Sequence, residues 1–389
     1  MNLREFKADL RKEIIAGNAV LAQSGSGIGK SEAIMQVFSA LKAEGAAKGE
    51  RWGLGVIFAA TQTPTDLIGV QWKGERAYND GKGGTRMVTI TDPSIPLWMI
   101  SVPHGEDPGG QPAWCYDRFF LFIDEYGQGE LDTKRAMAEI FLHGGTAPFY
   151  LPPGSPVVAA TNIGARYGVS KDFDFCITRR KLKVITGDAD IWEQDFASKP
   201  YTHNGRKWEV MAYTRAWAKS HPTILFEDEP KDQGPWCNPR ALCAADRYVQ
   251  VCKEQNGGKV PLDDYVLMES VAGGIGMPAC ESYVGGMKFA LELPSYDDVI
   301  KDPKKCPVPK RADLMMVMAF EMAHYTKEEH IPEVLTYIQR MAATAKDMEV
   351  TFISALLRKD YKRVSRHEAM QTWIGKNAAL VSVIASMNQ

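Results

Sequence analysis

The stretch Ser24-Gly25-Ser26-Gly27-Ile28-Gly29-Lys30-Ser31 decides the fold, because this glycine-rich loop separates two different hydrophobic patterns. The run 19–22 before it is apolar throughout, as in a strand, whereas apolar residues after it recur at Ile34, Phe38 and Leu41, as in a helix. A strand, a glycine-rich turn and a helix in this order aim successive backbone N–H groups and a helix N-terminus at one point. Such a point is an environment that binds phosphate.

The loop matches the P-loop pattern G-x-x-x-x-G-K-[ST] except at its first position, which is Ser24 instead of glycine. In a P-loop, Lys30 would neutralise the outer phosphates and the Ser31 hydroxyl would bind the accompanying Mg²⁺. An ordinary glycine-rich turn or helix cap is the alternative interpretation of the loop taken alone.

Composition restricts the class of protein. The chain has 389 residues, of which 45% are hydrophobic, enough for two domains or for one large domain with appendages. A formal charge of −2 gives no global basic field for nucleic acid or anionic membranes. Seven scattered cysteines without a C-x-x-C spacing argue against a disulfide framework and a zinc knuckle. With no apolar run of about 20 residues, we expect a cytoplasmic protein that does not bind membranes.

An acidic pair follows a second apolar strand. Residues 119–123 are five consecutive apolar residues, and Asp124 and Glu125 come directly after them. Because parallel sheets bind ligands at the carboxyl ends of their strands, the pair has the position of a Walker B segment. Asp124 would then hold the Mg²⁺ that Ser31 also contacts, and Glu125 would orient the attacking water. An acidic helix cap is the alternative.

Polar residues beside the next two strands complete the candidate site. A third apolar run, 157–160, leads to Asn162, which is expected beside the P-loop and within reach of the γ-phosphate, although alone it is a turn-forming residue. Arg179 and Arg180 precede a strand-like segment, 182–185. Arginine stabilises charge on a transferring phosphoryl group and can be supplied by a neighbouring subunit. A basic surface cluster is the alternative.

Four further elements are predicted from periodicity and turn residues. They are a helix over 2–16, a central parallel strand over 53–60 that is buried on both faces, a projecting hairpin over 70–91, and a helix beginning at Asn238-Pro239-Arg240. The alternative for 70–91 is a solvated loop. From residue 189 onward the pattern is mostly helical, and methionines clustered at 315–322 indicate core filling or, alternatively, an adaptable binding surface.

Together these motifs resemble the AAA+ ATPases, and within them the MoxR-like, dynein-related branch of bacteria and phages. The similarity covers residues 10–300 and rests on the order of six segments: the P-loop, Thr63-Pro64-Thr65-Asp66-Leu67-Ile68-Gly69, Ile123-Asp124-Glu125, the stretch 152–162, the paired arginines and Asn238-Pro239-Arg240. Individually the motifs are modest, and their order makes the resemblance specific.

The resemblance implies a role for each candidate residue. Walker A would comprise the residues from Gly25 to Ser31, with ATP bound by Gly25, Ser26, Gly27, Ile28, Gly29, Lys30 and Ser31. Walker B would be Asp124 and Glu125, sensor 1 Asn162 and sensor 2 Arg240. The register against the following strand favours Arg180 as the arginine finger, with Arg179 as the substitute. Family members usually have an aromatic residue after the finger, whereas this chain has Lys181 there.

The implied architecture is an α/β AAA+ core, a helical lid and a C-terminal all-α region. We expect an αβα core with a parallel sheet over 1–222, a lid carrying sensor 2 over 223–290, and helices over 291–389. Within the core, the segments 70–91 and 142–151 would face the central pore of a ring.

The implied function is Mg²⁺-dependent hydrolysis of ATP by a homo-oligomeric ring, expected to be a hexamer, that remodels a protein partner. MoxR-like relatives commonly work with a protein that has a von Willebrand factor A domain, so such a partner is implied here. A nucleic-acid translocase or helicase-type motor is the alternative, because Lys73, Arg76, Lys82 and Arg86 lie in the expected pore insert. A nucleotide-binding scaffold that does not hydrolyse ATP is a third possibility.

Overall fold

The computed structural model describes residues 1–163, 172, 174–226 and 234–377. It divides into two compact units, Met1–Gly187 and Asp188–Gln389, and each is described by itself. Residues 188–222, which the sequence assigns to the core, therefore belong to the second unit. Among the described residues, no helix combines the length and the apolar character that spanning a membrane requires.

The first unit is a three-layer α/β domain, as predicted. Its strands are β1 Val20–Ser24, β2 Trp52–Phe58, β3 Gln71–Asn79, β4 Thr85–Pro93, β5 Arg118–Asp124, β6 Gly145–Thr146, β7 Phe149–Tyr150, β8 Val157–Asn162 and β9 Lys181–Val184. Its helices are α1 Leu3–Ile15, α2 Lys30–Ala46, α3 Pro64–Ile68, α4 Leu131–His143 and α5 Asp174–Ile177. Five parallel strands form the main sheet in the order β2-β5-β8-β1-β9.

Alternate residues of the central strands fill two separate cores. In β5, Phe120 and Phe122 pack on the side of α1 and α2, whereas Phe119, Leu121 and Ile123 pack on the side of α4. Because both faces are covered, the strand is a continuous apolar run instead of an alternating one. Strand β8 lies between β1 and β5, so the position predicted for it beside the P-loop strand is confirmed.

The prediction that 53–60 forms a central strand is wrong. Strand β2 is parallel and pairs with β5, but it lies at the edge of the described sheet. Its edge is covered by the following chain, where the Val102 N–H donates to the Leu54 carbonyl at 2.8 Å. A Cβ added at Gly55 would lie 2.6 Å from the Trp98 carbonyl oxygen, so the segment that contains Trp98 contacts the strand directly. A covering loop therefore produces the same apolar pattern as a second neighbouring strand.

Both predicted inserts form hairpins. Strands β3 and β4 pair antiparallel over their full length, from Gln71 opposite Pro93 to Asn79 opposite Thr85, and nearly all of their residues are exposed. Strands β6 and β7 form a short antiparallel pair within the second insert. The hairpin prediction for 70–91 is thus confirmed over the solvated-loop alternative.

The described residues of the second unit form helices and one short antiparallel hairpin. Its helices are α6 Ala189–Trp192, α7 Ala212–Ser220, α8 Pro222–Leu225, α9 Pro239–Gln255, α10 Tyr265–Ile275, α11 Met277–Ala290, α12 Tyr296–Lys301, α13 Ala312–Tyr325, α14 Ile331–Ala342, α15 Lys346–Lys359, α16 Tyr361–Val364 and α17 Glu368–Lys376. The hairpin comprises β10 Tyr201–His203 and β11 Arg206–Trp208, a segment that the helical prediction missed.

Two hydrophobic cores meet on α7 of the second unit. Ala216 belongs to the core formed with α13 to α15, whereas the adjacent Trp217 belongs to the core formed with α9 to α11. Met315, Met318 and Met322 are buried in the first of these cores, which confirms core filling for the clustered methionines. Helix α7 therefore packs both against helices α9 to α11 and against helices α13 to α15.

Candidate active site

The glycine-rich loop connects the end of β1 to the start of α2. Gly27 and Gly29 have positive φ values of 74° and 105°, which favour glycine, and Gly29 is the N-cap of α2. Ser24 is fully buried as the last residue of β1, and its Oγ donates to the Gly25 carbonyl at 2.7 Å. It is not among the described non-glycine residues with positive φ. The position where the pattern expects glycine therefore does not require one.

Lys30 lies between the loop and the neighbouring strand. Its Nζ donates to the Asn162 Oδ1 at 2.8 Å and to the Gly25 carbonyl at 3.2 Å, and the residue is 8% exposed. Asn162 is close because β8 pairs with β1 so that Asn162 lies opposite Ser24. Both oxygens are neutral acceptors, so an anionic phosphate oxygen would compete with them for the ammonium group.

Ser31 and Asp124 meet across the carboxyl edge of the sheet. The Ser31 Oγ donates to the Asp124 Oδ2 at 3.1 Å, and the Asp124 Oδ1 accepts from the Glu125 N–H at 2.9 Å. A hydroxyl and a carboxylate are the oxygen donors that Mg²⁺ binds together with substrate phosphates. The donor set therefore fits the metal that the sequence predicts here.

Glu125 adopts an unusual backbone conformation. Its φ of 52° and ψ of 33° lie in the left-handed region, a conformation that costs a glutamate about 1–3 kcal/mol. Its side chain is exposed beside Asp124. The turn is held in part by the Gly127 N–H, which donates to the Thr161 Oγ1 at 3.1 Å. Sequence analysis did not identify Thr161 as a site residue, although it immediately precedes Asn162.

Arg180 is enclosed by residues of the first unit. Its side chain is 4% exposed, forms an ion pair with Asp172, and donates to the Cys176 carbonyl at 2.6 Å. Its guanidinium carbon lies 4.7 Å from the centre of the Tyr126 ring. These contacts within the first unit leave little of Arg180 for another molecule, although the sequence favoured it as the finger.

Arg179 faces the surface instead. Its side chain is 22% exposed and pairs with Glu139 of α4 at 2.7 Å. Both arginines precede β9, whose first residue, Lys181, pairs with Val20 at the amino end of β1. The loop leaves β1 at the other end, after Ser24, so the arginines lie at the opposite edge of the sheet from the loop.

Arg240 lies in the second unit. It occupies the first turn of α9, where the Asn238 side chain accepts from the Ala241 N–H at 2.9 Å, and it is exposed. The predicted helix start is therefore present, and its role as sensor 2 stays a prediction. The structure thus brings together Lys30, Ser31, Asp124, Glu125 and Asn162 at one edge of the first unit.

Comparisons with known proteins extend the description of the fold. No protein-family model matches the chain, and no match was found among curated proteins. Solved structures that it resembles include a candidate ATPase from Cytophaga hutchinsonii, with 14% identity over 71% of this chain and 82% of that one and a TM-score of 0.31. NtrX from Brucella abortus in complex with ADP has 14% identity over 93% and 67% of the two chains, with a TM-score of 0.34.

A third similar structure is the ORC2 protein of Aeropyrum pernix, in complexes with ADPNP and ADP. It has 9% identity over 90% of this chain and 83% of that one, with a TM-score of 0.38.

Proposed function

We propose that this protein is a Mg²⁺-dependent ATPase of the AAA+ superfamily that works as a ring and remodels a protein partner. One observation carries the proposal: the P-loop residues Lys30 and Ser31 contact Asn162 and Asp124 at 2.8 Å and 3.1 Å. These are the groups that a site for ATP and Mg²⁺ requires at the carboxyl ends of three neighbouring strands.

Each side chain has a distinct role in the proposed reaction. Lys30 would bind the β- and γ-phosphates of ATP, while Ser31 and Asp124 would hold Mg²⁺, which neutralises charge on those phosphates when bound. Glu125 would orient and polarise the attacking water from the exposed position beside Asp124. Asn162 would donate its amide N–H to the γ-phosphate or the water once Lys30 turns to the phosphates.

The opposite position of the arginines supports an active site shared between subunits. Ser24 lies four residue steps along β1 from Val20, the residue opposite Lys181, a distance of roughly 13 Å along a strand. Because Arg179 precedes Lys181 and pairs with Glu139, it faces away from the loop of its own chain. We therefore propose Arg179 as the finger that enters the neighbour's site, in a closed homo-oligomeric ring.

The finer assignment remains part of the proposal. The motif order favours the MoxR-like branch, for which a hexamer and a partner with a von Willebrand factor A domain are expected. Arg240 of α9 is the residue that this assignment proposes as sensor 2. The near-neutral charge of the chain favours protein over nucleic acid as the substrate.

The first test is hydrolysis by wild type and by Glu125→Gln. We expect wild type to release phosphate from ATP only with Mg²⁺, and the variant to bind ATP with a Kd within about threefold of wild type but to hydrolyse it at least ~100-fold more slowly. Lys30→Ala, which removes the phosphate ligand, is the matched control and should lose ATP binding itself. An inactive wild type would favour the non-hydrolysing scaffold, and an active Glu125→Gln would contradict the role of Glu125.

A nucleic-acid motor is the second candidate, because one face of the exposed β3–β4 hairpin combines aromatic rings and cations. The register places Trp72, Arg76, Tyr78 and Arg86 on the same face, with Trp72 and Tyr78 exposed by 64% and 47%. Exposed aromatic rings beside cations can stack with unpaired bases. Arg76 is paired with Asp92 at 2.8 Å, which reduces the positive charge of this face.

Stimulation of the ATPase separates the two candidates. Single-stranded DNA that stimulates wild type several-fold at low salt, and does so no longer in Trp72→Ala, would favour the nucleic-acid motor. Thr89→Ala, on the opposite face of the same hairpin, is the matched control. We expect no stimulation, in keeping with a protein substrate.

A further inference from the structure

The side chain of Arg180 links the two edges of the sheet along one face of the first unit. Its backbone precedes β9 at the amino edge, whereas Tyr126, over whose ring its guanidinium carbon lies at 4.7 Å, follows the Walker B residues at the carboxyl edge. The same guanidinium carbon lies 5.6 Å from the Phe141 ring of α4. A planar guanidinium between two rings and a carboxylate is bound in a fixed orientation.

Asp172 completes this cluster. Its carboxylate pairs with Arg180, accepts from the Tyr126 hydroxyl at 3.2 Å, and lies 3.3 Å from the Nζ of Lys134, whose side chain is fully buried. Burial raises the pKa of the Tyr126 hydroxyl far above its usual value, so this group remains a hydrogen-bond donor. Charged partners in a buried cluster fix one geometry, because each loses hydrogen bonds if it moves.

Tyr126 is the residue immediately after Glu125. The left-handed backbone of Glu125 is held on one side by Asp124 and on the other by Tyr126, which is 1% exposed. Displacement of Tyr126 would therefore rotate the strained turn that carries the Glu125 carboxylate. A displacement of this kind is enough to slow a reaction that depends on a positioned water.

We infer that Arg180 is a positioning residue that acts within its own subunit, where it fixes the Glu125 turn, while the adjacent Arg179 acts on the neighbouring subunit. The side chains of the two consecutive arginines point in opposite directions. Arg180 faces the interior and is 4% exposed, whereas Arg179 faces the surface and is 22% exposed. The two adjacent arginines thereby link binding of ATP in the neighbouring subunit's site to the position of the Glu125 carboxylate. This inference rests on the proposed ATPase function.

Mixed oligomers test the division of roles. An Arg179→Ala chain keeps a complete Walker site, and a Glu125→Gln chain keeps a complete finger, so a 1:1 mixture should recover about one quarter of wild-type activity. An Arg180→Met chain should have a kcat lowered about tenfold or more with a KM for ATP within about threefold of wild type. Mixed with Glu125→Gln, it should show no recovery beyond its own residual rate, because neither chain then has a correctly positioned Glu125.

A second mixture shows whether Arg180→Met is folded and assembled. This chain retains Arg179, so with Arg179→Ala it should recover about one quarter of wild-type activity. Methionine preserves apolar packing on Tyr126, and Lys134 still pairs with Asp172, so the cluster keeps a compensating charge. Arg180→Lys, which keeps the charge but not the planar fork, should retain intermediate activity.

Two results would overturn the inference while wild type is active. Recovery in the mixture of Arg180→Met with Glu125→Gln would make Arg180 a finger supplied in trans. Failure of Arg180→Met to restore Arg179→Ala would show that Arg180 also serves the neighbour, against the division of roles. An inactive wild type would instead reject the ATPase proposal itself, so the two failures are distinguishable.

Discussion

At the scale of single residues, Glu125 combines its proposed chemical role with backbone strain. Of the described non-glycine residues, it and Asn204 have positive φ, and asparagine enters this region more readily than glutamate. Asn204 lies in the turn between β10 and β11, where such a conformation is expected. Glu125 does not lie in a hairpin turn. We therefore attribute its left-handed conformation to the position that its carboxylate takes in the proposed site.

Replacement of this residue should separate stability from activity. We expect Glu125→Gly to raise the free energy of unfolding by about 1 kcal/mol, because glycine adopts the left-handed region without strain, and to abolish hydrolysis. Thermal unfolding and phosphate release measure the two effects. Glu125→Gln is the matched control, since it should lose hydrolysis without gaining stability. Equal stability of the two variants would mean that the conformation stores no strain.

Sequence alone identified the groups at the carboxyl edge, because each follows an apolar strand in the order that parallel sheets impose. Lys30, Asp124 and Asn162 are examples. It favoured Arg180 over Arg179 as the finger, but neighbours in a sequence can face opposite directions, and only tertiary contacts show that Arg180 is the buried one of the two. Asp172, the partner of Arg180, lies in no predicted strand or helix, so nothing in the sequence connected the two.

At the scale of elements, the helices of the second unit enclose a carboxylate. Asp246 of α9 is fully buried and accepts hydrogen bonds from Thr214 at 2.5 Å and Gln250 at 2.7 Å. Burial raises the pKa of Asp246 to about 6 despite these hydrogen bonds. The folded state therefore binds a proton between pH 4 and pH 6 that the unfolded state releases.

This difference predicts a pH dependence of stability. The contribution of Asp246 to the free energy of unfolding should be largest below about pH 4 and should fall as the pH rises through about 6. The fall should be roughly 3 kcal/mol, given a pKa raised from its ordinary value to about 6. Asp246→Asn should lack this decline, as measured by denaturant unfolding at pH 4.5 and 7. Asp263→Asn, which changes an exposed carboxylate of the same unit, is the control. Parallel pH profiles for wild type and Asp246→Asn would refute the assignment.

The error at β2 shows that packing between elements cannot be read from local composition. The run at β2 was interpreted as central because it lacks polar alternation, yet a loop that contributes Val102 covers its edge. The segment 301–310 has the proline and lysine content of a linker, but Cys306 is buried and the Arg340 guanidinium donates to its carbonyl at 2.8 Å. Local composition records how polar a segment is, not what packs against it.

At the scale of the whole molecule, the described chain has two units where three domains were predicted. One cause is Glu193, which is fully buried and pairs with Arg215 of α7 at 2.5 Å and Arg358 of α15 at 3.1 Å. Burial alone would raise the pKa of Glu193, but the two guanidiniums outweigh it and hold the pKa below its usual value. Two residues of the segment predicted to be core, Glu193 and Arg215, are thus connected to the C-terminal helices by a charged group that neither segment predicts by itself.

A site completed by a neighbouring subunit predicts that activity depends on assembly. We expect the ATPase rate per wild-type chain to rise with protein concentration and to reach a plateau where sedimentation shows complete rings, because a lone chain has no Arg179 in its own site. Dilute wild type should be stimulated by excess Glu125→Gln chains, which supply Arg179 while hydrolysing nothing themselves. Glu125→Gln combined with Arg179→Ala is the matched control, since it should assemble without stimulating. A rate per chain that stays constant down to concentrations at which only monomers sediment would exclude the shared site.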